Sequence, residues 1–417
     1  MGISFPVYNN KQRGIGMPEV DIDKQVEKYW EIFTRQLSIE EQQTVEAFLE
    51  EDKPVFQDAT RKHPVKSVVF ASWLQTDQII EILKPSYPYF EYIKDRLHFR
   101  MRFFAYFTMS KRKNVWQAYH SLSDEEYQLL GFEEKPTYEM LREFIYERIG
   151  INQFIVLFRW VVANLITYLK QKGVAIGEET FQDATNKHSL KHDPEAKYSG
   201  YYKHSGYKMD STIDANLLCP LDYVPMGITD DEGKNLIPSV NQLQTYGLEE
   251  KIRVIDCKYA TFENIAYCEL QGIQLYYKIA DHWIYKEEGE PGYIKQLYQR
   301  YHRSDDFVVG ADFDKILRYL YRKGETEAVG SYFRNLRMLE YEEHPEAYLE
   351  ICHTRSRIEG EYGRLKLTAG FDDHLGRRGW KQFLFHVGKT MLGIVFAALI
   401  RVQHQVFDNL GNVTYIV

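Results

Sequence analysis

The hydrophobic pattern of the first part of the chain is helical. From residue 21 to residue 172, apolar residues recur three and four positions apart, as they do along the buried face of an amphipathic helix. Ser38 and Ser123 each stand just before a segment rich in acidic residues, which is a signal for a helix N-terminus. We therefore predict an all-helical region over residues 21–172, preceded by an N-terminal arm over residues 1–20.

The pattern changes after Gly173 to short runs that favour β-structure. β-branched and aromatic residues alternate there with turn residues, which is typical of strands. A helical run over residues 241–250 precedes one of these runs, and this order predicts a helix-to-strand crossover in an α/β sheet. The runs predicted to be strands lie at residues 178–185, 201–212, 217–228, 251–260 and 272–279.

A second helical stretch, charged and rich in tyrosine, interrupts the sheet region over residues 281–348. Two further helices are predicted after it, over residues 353–367 and 379–404. We interpret residues 281–348 as an insertion. The sequence thus predicts a helical N-terminal region followed by a mixed α and β domain in two parts, residues 173–280 and residues 349–417.

The composition is that of an ordinary globular protein. Of the 417 residues, 44% are hydrophobic and 27% are charged, which disfavours a disordered, collagen-like or membrane-embedded chain. The four cysteines form no C-x-x-C pair, so a zinc ribbon, a redox motif and a disulfide framework are all unexpected. We expect a protein of the reducing cytoplasm.

Two apolar stretches, residues 151–170 and 383–400, have the composition of candidate membrane spans. Arg159 interrupts the first, and His386 and Lys389 interrupt the second. Neither contains the run of about 18 uninterrupted apolar residues that a spanning helix needs. We predict that both stretches are helices buried in a protein core and that the protein has no membrane partner.

The net charge of −8, from 52 basic and 60 acidic residues, gives no general sign of a nucleic-acid-binding protein. Any polyanion must therefore contact a local basic patch. The most basic stretch of the helical region, residues 94–116, includes Lys111, Arg112 and Lys113 and has aromatic residues between its charges. This stretch is either an amphipathic helix with a solvated charged side or a surface that contacts phosphates.

Three acidic residues lie on predicted ordered elements beside small or basic residues. Asp183 follows a strand-like run, Asp256 ends the buried-looking run IRVID, and Glu359 lies within a predicted helix. A carboxylate at a buried position is costly unless it binds a cation, forms an ion pair or reaches solvent. Two carboxylates on neighbouring strand ends and a third on a helix can hold two Mg²⁺ ions, which are hard cations that prefer oxygen ligands.

The helix predicted around Glu359 carries a line of charges. Arg355 lies four residues before Glu359 and Lys366 lies seven residues after it, so all three are expected on one helical face. This face is either an ordinary salt bridge on a solvated helix or a surface that places basic groups beside a phosphodiester. Glu361 is the rival for the third acid, but it points about 200° away and lacks basic partners on its own face.

Motifs around these acids have a recognisable order. Asp183 stands in the segment QDAT, which is similar to a D-x-T motif, and Asp256 begins a D-x-x-Y-x-x-x-x-N motif. Arg355, Glu359 and Lys366 have the spacing R-(3)-E-(6)-K. In this order they resemble the DDE transposases of bacterial and archaeal insertion sequences, in the branch whose glutamate helix carries a Y-(2)-R-(3)-E-(6)-K signature.

Other segments extend this resemblance. Cys352 occupies the tyrosine position of the signature. Residues 193–214 resemble the D-P-x-A and G-Y-K segment of the family, and residues 370–393 resemble its closing helix. Residues 131–150 resemble the helix that precedes the catalytic core. The resemblance covers residues 173–417, and the match over residues 131–150 is weaker.

The resemblance implies a ribonuclease-H-like catalytic core, interrupted by the insertion. It implies that Asp183, Asp256 and Glu359 are the catalytic residues and the ligands of two Mg²⁺ ions, with Mn²⁺ as a substitute. The implied reaction is cleavage of DNA at the ends of a mobile element, followed by attack of a 3′-hydroxyl on another phosphodiester. The alternatives are a transposase-derived DNA-binding protein that does not cleave and a ribonuclease-H-like nuclease without strand transfer.

The resemblance also implies partners and contacts. Double-stranded DNA, as terminal inverted repeats and as target, is the expected substrate of a homodimer associated with the nucleoid in a prokaryotic cytoplasm. Trp283 is either a base-stacking residue or an ordinary core aromatic residue. Arg377 and Arg378 either contact phosphates or belong to a simple turn before a helix. The candidate DNA-binding residues are Arg355, Lys366, Trp283, Arg377, Arg378, Lys111, Arg112 and Lys113.

Overall fold

The computed structural model describes most of the chain from residue 65 onward, and the described part is a mixed α/β structure. The predicted N-terminal arm, residues 1–20, and residues 21–64 of the predicted helical region lie outside the described residues. The described residues are 65–83, 94–280, 282–302, 312–360, 362, 375, 377–407, 410–413 and 416.

Helices make up the described part of the N-terminal region. The predicted cap at Ser123 is confirmed, because its side chain accepts a hydrogen bond from the backbone N–H of Glu126 and the Glu126 carboxylate accepts one from the backbone N–H of Ser123. The α-helices are α1 (Ser67–Ser72), α2 (Asp77–Leu83), α3 (Lys94–Met109), α4 (Val115–His120), α5 (Asp124–Leu129), α6 (Tyr138–Glu143) and α7 (Phe154–Gln171).

The helix expected just before the catalytic core has an irregular second half. It begins with α6, continues as a π-helix over Phe144–Gly150 and reaches α7 through a 3₁₀ turn over Ile151–Gln153. Gly150 has a φ of 82°, a left-handed conformation that glycine adopts at little cost. A glycine at this position therefore permits the change of direction between α6 and α7.

Each predicted strand run overlaps a strand, and the described part of the chain has one further short strand, β2, outside the predicted runs. Polar side chains occupy several buried positions of the long strand β3, which is unusual for a strand covered on both faces. The strands are β1 (Glu179–His188), β2 (Lys197–Ser199), β3 (His204–Asp214), β4 (Pro220–Gly227), β5 (Ile252–Ile255) and β6 (Gln274–Tyr277).

The sheet combines an antiparallel part with a parallel part. β1 pairs antiparallel with β3 and parallel with β5, and β5 pairs parallel with β6. β2 and β4 both pair antiparallel with β3. The strand order is therefore β2-β3-β1-β5-β6, with β4 also paired to β3. β1 lies where the two parts of the sheet meet.

Helices connect the parallel strands. α8 (Leu236–Thr245) leads from β4 to β5, which is the predicted crossover, and α9 (Phe262–Leu270) leads from β5 to β6. α8 begins five residues before the predicted run 241–250, because 241 − 236 = 5. It ends at a left-handed Gly247, with a φ of 66°, whose backbone N–H bonds back to the last turn.

The predicted insertion is helical in its described part. α12 packs closely on α9, since a Cβ added to Gly330 would lie 2.2 Å from the backbone oxygen of Phe262. The predicted boundary at residue 348 falls inside α13, and the hydroxyl of Tyr348 donates to the backbone oxygen of Tyr277 in β6 at 2.9 Å. The helices are α10 (Pro291–His302), α11 (Phe313–Arg322), α12 (Thr326–Glu343) and α13 (Pro345–His353).

The helix predicted over residues 353–367 is interrupted. α13 ends before a turn at Thr354 and Arg355, and a further helix, α14, is described over residues 356–360 and at residue 362. The backbone N–H groups of Arg355, Arg357 and Ile358 each bond to the carbonyl oxygen three residues earlier, instead of four as in an α-helix. The prediction that Arg355 and Glu359 share one continuous helix is therefore wrong, because Arg355 lies in the turn that precedes α14.

The last helix, α15 (Trp380–Gln403), is the centre of the helical core. It packs against α3 and α7, and two glycines permit the close approach. A Cβ added to Gly388 would lie 2.7 Å from the Phe154 side chain, and one added to Gly393 would lie 2.5 Å from the backbone oxygen of Thr108. Larger residues at either glycine would push these helices apart.

Two acids of the D-P-x-A segment hold the N-terminus of α15. Asp193 accepts a hydrogen bond from the backbone N–H of Gly379 at 2.9 Å, and Glu195 accepts one from the backbone N–H of Trp380 at 2.5 Å. Carboxylates are favourable at a helix N-terminus because they satisfy its free N–H groups and its positive dipole. This part of the resembling sequence therefore has a structural role in joining the sheet to the closing helix.

Two stretches of the described chain are long and apolar enough to cross a membrane by length and composition alone, Tyr138–Gln171 and Trp380–Gln403. The most apolar window is 50% buried inside the protein in the first stretch and 89% buried in the second. Core helices of soluble proteins pass the same test, so these stretches are weak indications of a membrane protein.

Candidate active site

Asp183 and Asp256 lie side by side on neighbouring parallel strands. Asp183 is in β1, and Asp256 directly follows β5. The strand pairing aligns Gln182 with Ile255, so one further step in the same register brings the two aspartates together. Neighbouring strands lie about 4.8 Å apart, and aligned residues point to the same face. The structure thus brings together two of the three predicted acids.

The surroundings of Asp183 are those of a largely buried acid. Its side chain is only 18% exposed. Burial raises the pKa of the Asp183 carboxyl to about 6, and the guanidinium of Arg355 opposes this rise. The negative charges of Asp256 and Glu232 raise the pKa further. Additional positive charge at this position would therefore stabilise the ionised carboxylate.

One arginine links Asp183 to Glu359. Arg355 Nη1 lies 3.2 Å from Asp183 Oδ2, and Arg355 Nη2 lies 3.7 Å from Glu359 Oε1. The Glu359 side chain is 65% exposed, so its ion pair is the weaker and more solvated of the two. The expected Arg355–Glu359 contact is therefore present, and the same guanidinium also reaches the first acid on the sheet.

Tyr362, which we did not single out in the sequence, attaches the segment of Glu359 to the sheet. Its side chain is buried, and its hydroxyl donates to the backbone oxygen of Asp183 at 2.5 Å. The hydroxyl also lies 2.8 Å from Ser211 Oγ on β3. Burial raises the pKa of Tyr362, which keeps the hydroxyl neutral and able to donate. A tyrosine three residues after Glu359 is the only sequence signal of this contact.

A buried polar network lies beneath the two aspartates. Asp210 on β3 accepts hydrogen bonds from Gln182 Nε2 at 3.0 Å and from the hydroxyl of Tyr259 at 2.9 Å. Burial raises the pKa of Asp210 to about 7. Arg253 on β5 donates to Gln182 Oε1 at 2.7 Å and contacts both oxygens of Glu250 at 2.7 and 2.8 Å. This network joins β1, β3 and β5 and fixes the strands that carry the aspartates.

Two lysines also lie near the acids. The carboxylate of Glu232 pairs with the buried Lys208 and lies 3.4 Å from Lys258 Nζ. Lys258 follows Asp256 by two residues, in a 3₁₀ turn. One carboxylate near the aspartates therefore contacts two ammonium groups, since Glu232 also acts on Asp183.

The donor set suits Mg²⁺ by residue type, since this cation prefers carboxylate oxygens. Asp183 and Asp256 are neighbours, and the charge of Asp256 opposes ionisation of Asp183. Among the described residues, no group of three or more His, Cys, Asp or Glu side chains is placed to hold a metal ion. Glu359 is directed to Arg355 instead. The two aspartates therefore fit a divalent cation, and Glu359 would join them on exchanging its contact with Arg355.

Two members of the predicted site, Lys366 and the rival acid Glu361, lie outside the described residues. Cys352, at the tyrosine position of the signature, is in the last turn of α13 and is half-buried. Burial raises the pKa of its thiol to about 11, so the thiol is protonated at neutral pH. Cys352 therefore adds no negative charge at this position at neutral pH.

Trp283 lies at the junction between the sheet and the insertion. Its ring is half-buried and makes an edge contact with the Tyr277 ring, with 5.6 Å between the centroids. The guanidinium of Arg334 lies 5.5 Å from the same ring. The described contacts of Trp283 are thus packing contacts, and any base-stacking role would require the ring to be uncovered.

The two predicted basic segments are exposed. Lys111, Arg112 and Lys113 lie between α3 and α4, and Arg377 and Arg378 lie directly before α15. Such exposed cations are the kind of group that contacts DNA phosphates independently of sequence.

One basic segment lies near a bond to the distal end of β1, and the other lies beside a bond to α15. The backbone N–H of Leu375 donates to the backbone oxygen of His188 at 3.0 Å. On the other side, Lys389 donates to the backbone oxygen of Ser110 at 2.7 Å, and the charge of Lys187 acts on that of Lys389. A strand rises about 3.3 Å per residue, so this end of β1 lies roughly 15 Å from Asp183.

Comparison with known proteins does not assign the chain to a family. No protein-family model matches the sequence, and no curated protein is significantly similar to it. The function is therefore inferred from the geometry of the site and from the motifs that the site contains.

Proposed function

We propose that this protein is a DDE transposase, a metal-dependent DNA phosphoryl transferase with a ribonuclease-H-like core. The observation that carries the proposal is the adjacency of Asp183 and Asp256 on neighbouring parallel strands, with Arg355 joining Asp183 to Glu359. A mixed sheet that carries two acids on adjacent strands, with a third on a nearby helix, is the arrangement that such a core requires. The order of the motifs along the chain supports the same conclusion.

The three acids would hold two Mg²⁺ ions, with Mn²⁺ as a substitute. Bound in such a site, the ions activate a water or a 3′-hydroxyl and stabilise the leaving oxygen of an in-line displacement. The chain itself holds the carboxylates in place: β1 and β5 carry Asp183 and Asp256, and Tyr362 holds the segment of Glu359 against the sheet. Arg355, on leaving the carboxylates, would pair with a phosphodiester oxygen.

The proposed reaction has two steps on double-stranded DNA. Water first cleaves a phosphodiester at a terminal inverted repeat and leaves a 3′-hydroxyl, which then attacks a phosphodiester of the target. Each step breaks one P–O bond and forms another, so no covalent protein–DNA intermediate is needed. The exposed basic segments would hold the duplex, and the pairing of two element ends implies a homodimer on DNA, at the nucleoid of a prokaryotic cytoplasm.

A cleavage assay with the full chain tests this proposal. A plasmid that carries the genomic DNA flanking the reading frame is incubated with the protein and Mg²⁺, and nicked or linear product with a 3′-hydroxyl is expected. Asp183→Asn keeps the size of the side chain and removes its charge, so it should abolish cleavage and leave DNA binding intact. Asp314→Asn is the matched control, because Asp314 is an exposed acid on α11 that pairs with Arg318.

A pre-cleaved DNA end separates the transposase from its alternatives. Joining of an end with a 3′-hydroxyl to a plasmid is expected, and a 3′-deoxy end should not be joined. Cleavage without joining would indicate a nuclease of the same fold. Binding without cleavage would indicate a DNA-binding protein derived from a transposase. Full cleavage by Asp183→Asn would refute the assignment of the catalytic acids.

Metal binding can be measured apart from activity. Titration of the protein with Mn²⁺, followed by electron paramagnetic resonance, should show binding that Asp183→Asn and Asp256→Asn weaken strongly. The Asp314→Asn control should bind Mn²⁺ as the wild-type protein does. Equal Mn²⁺ binding by all of these proteins would place the metal elsewhere.

A further inference from the structure

An exposed aromatic and basic patch, formed by Tyr201, Tyr202 and Lys258, lies in the hairpin region beside the acids. Tyr201 is 75% exposed, and Lys258 Nζ lies 4.4 Å from the centroid of its ring. The Tyr202 ring meets the Tyr201 ring edge to face, with 4.9 Å between the centroids. An exposed ring beside a cation offers two groups that a ligand with an aromatic face and an anionic group can contact together.

This patch borders the candidate active site. Lys258 is two residues from Asp256 and lies in the turn that follows β5. Burial raises the pKa of Tyr202, and the charges of Glu232 and Asp183 also act on this hydroxyl. The Tyr202 hydroxyl is therefore within electrostatic range of the first acid. Glu232, whose carboxylate lies 3.4 Å from Lys258 Nζ, also acts on Asp183, so the patch lies near the first acid.

The turn that carries the two tyrosines is fixed by its own hydrogen bonds. It joins β2 to β3, and Ser199 Oγ accepts a hydrogen bond from the backbone N–H of Tyr202 at 3.3 Å. The backbone oxygen of Ser199 accepts another from the N–H of Lys203 at 2.8 Å. A ring held by a rigid turn loses little conformational entropy when a ligand stacks on it.

The patch combines two groups that recognise an unpaired nucleotide. An exposed aromatic ring stacks on any base, because every base has an aromatic face. An ammonium group can contact the phosphate of the same nucleotide, and the Lys258 side chain is partly exposed and shares the carboxylate of Glu232 with Lys208. In duplex DNA the bases are already stacked on one another, so this patch can accept only a base that has left the duplex.

We propose that Tyr201 and Lys258 form a binding site for one unpaired nucleotide of DNA, with the base stacked on Tyr201 and its phosphate at Lys258. This inference rests on the proposed function, because it names the form of DNA that the same site accepts. It implies that the protein prefers DNA with a frayed or single-stranded end beside the cleaved phosphodiester over a fully paired blunt duplex.

Fluorescence anisotropy tests this preference with the full chain in EDTA, which prevents cleavage. The probes are a short blunt duplex and the same duplex with a single-stranded 3′ tail that contains 2-aminopurine. We expect the wild-type protein to bind the tailed duplex about tenfold more tightly than the blunt one, the effect of one stacked base. The 2-aminopurine fluorescence should be quenched on binding, which reports stacking directly.

Variants separate stacking from other contributions. Tyr201→Ala should abolish the preference and the quenching, whereas Tyr201→Phe keeps the ring and should keep both. Lys258→Gln should weaken binding and lower the salt dependence by about one phosphate contact. Tyr198→Ala is the matched control, because Tyr198 is 63% exposed on the same hairpin and its removal leaves the ring beneath Lys258 in place.

Two results would overturn the inference: unchanged tail preference in Tyr201→Ala, or an equal loss in Tyr201→Ala and Tyr198→Ala. The cleavage assay is independent of this measurement. If the wild-type protein stacks the tail on Tyr201 but never cleaves DNA, the nucleotide site stands and the transposase proposal fails. If it cleaves DNA and Tyr201→Ala binds both probes as the wild type does, only the nucleotide site fails.

Discussion

Two buried arginines show that the protein has two different ways of burying a positive charge. Arg253, on β5 beneath the acids, contacts the carboxylate of Glu250 through both Nε and Nη2. Arg334, on α12, is 8% exposed, and its Nε and Nη2 have no hydrogen-bond partner among the described residues. Its guanidinium lies between the rings of Phe262 and Trp283, 4.7 and 5.5 Å from their centroids.

This difference distinguishes the sheet that carries the two aspartates from its junction with the insertion. Around Arg253, opposite charge and a hydrogen-bond network compensate the cost of burial and hold neighbouring strands in register. At Arg334, burial lowers the pKa of the guanidinium, and Tyr277 is the group that opposes this effect. The sheet is thus built to preserve the position of its side chains, whereas the junction relies on contacts with aromatic rings, which are less directional. The same substitution at the two arginines should therefore have very different consequences.

The largest effect is expected for Arg253→Met. This change leaves the buried carboxylate of Glu250 without its cation, which typically costs about 3–5 kcal/mol of unfolding free energy. Urea denaturation measures the loss, and Arg253→Met combined with Glu250→Leu should recover much of it. Arg318→Met is the control, because its exposed pair with Asp314 should contribute less than about 0.5 kcal/mol. A loss below about 1 kcal/mol at Arg253 would show that the network does not stabilise the sheet.

Lys389 is a third buried cation, and it has carbonyl partners instead of a carboxylate. Its Nζ donates to the backbone oxygens of Ser110 and Thr108 at 2.7 and 3.4 Å and lies 5.3 Å from the centroid of the Phe107 ring. Burial lowers the pKa of Lys389 from 10.5 to about 7, and the charge of Lys187 acts in the same direction. Lys389 therefore shows a third way of burying a basic side chain, this time in the helical core.

Measuring the unfolding free energy as a function of pH tests the lowered pKa of Lys389. Between about pH 7 and about pH 10, the unfolded chain holds a proton on Lys389 that the folded chain has lost, so this lysine makes stability rise with pH in that window. Relative to Lys389→Met, the wild-type protein should gain on the order of 3 kcal/mol of unfolding free energy across it, since each unit of pKa difference corresponds to about 1.4 kcal/mol. A difference that does not change with pH would mean that the folded protein keeps the proton.

A neutral hydrogen bond should have a smaller effect than the charges of Arg253 and Lys389. Tyr362→Phe removes the hydroxyl that bonds to the backbone oxygen of Asp183 and contacts Ser211. We expect a loss of about 1 kcal/mol in unfolding free energy, the usual net contribution of one hydrogen bond. Cleavage should fall while Mn²⁺ binding to the two aspartates persists, because only the position of Glu359 is loosened. Unchanged cleavage would show that Tyr362 does not position the Glu359 segment.

The sequence predicted that both aspartates lie at strand positions, because this depends on local pattern. A strand-like run precedes each of them, and the helical run before the second predicted a crossover in the sheet. That crossover joins β4 to β5, which do not pair with each other, so the parallel pairing of β5 with β1 that brings the aspartates together was not predictable from it. The turn at Thr354 and Arg355 was not predictable in this way, because no glycine or proline marks it in the sequence.

Contacts between distant parts of the chain were the least predictable. The interaction of Arg355 with Asp183 joins residues 172 positions apart, and that of Tyr362 with Asp183 joins residues 179 positions apart. Asp210 was also missed, since an aspartate inside a strand run resembles any solvent-facing residue until the neighbouring strands and Tyr259 cover it. Hydrophobic periodicity carries no information about which helix covers which strand, and these contacts depend on that arrangement.

The smallest effect is expected for Arg334→Met, which completes the comparison with Arg253. Methionine keeps most of the buried apolar volume and removes the cost of burying an incompletely paired charge, but it loses the cation–π contacts with Phe262 and Trp283. These contributions have opposite signs and each amounts to about 1–2 kcal/mol, so the unfolding free energy should change by less than about 1 kcal/mol. Because Arg253→Met introduces the same side chain, effects of arginine and methionine on the unfolded state largely cancel between the two variants. A loss of about 3 kcal/mol or more at Arg334 would mean that its guanidinium has strong partners, and the proposed difference between the sheet and the junction would not hold.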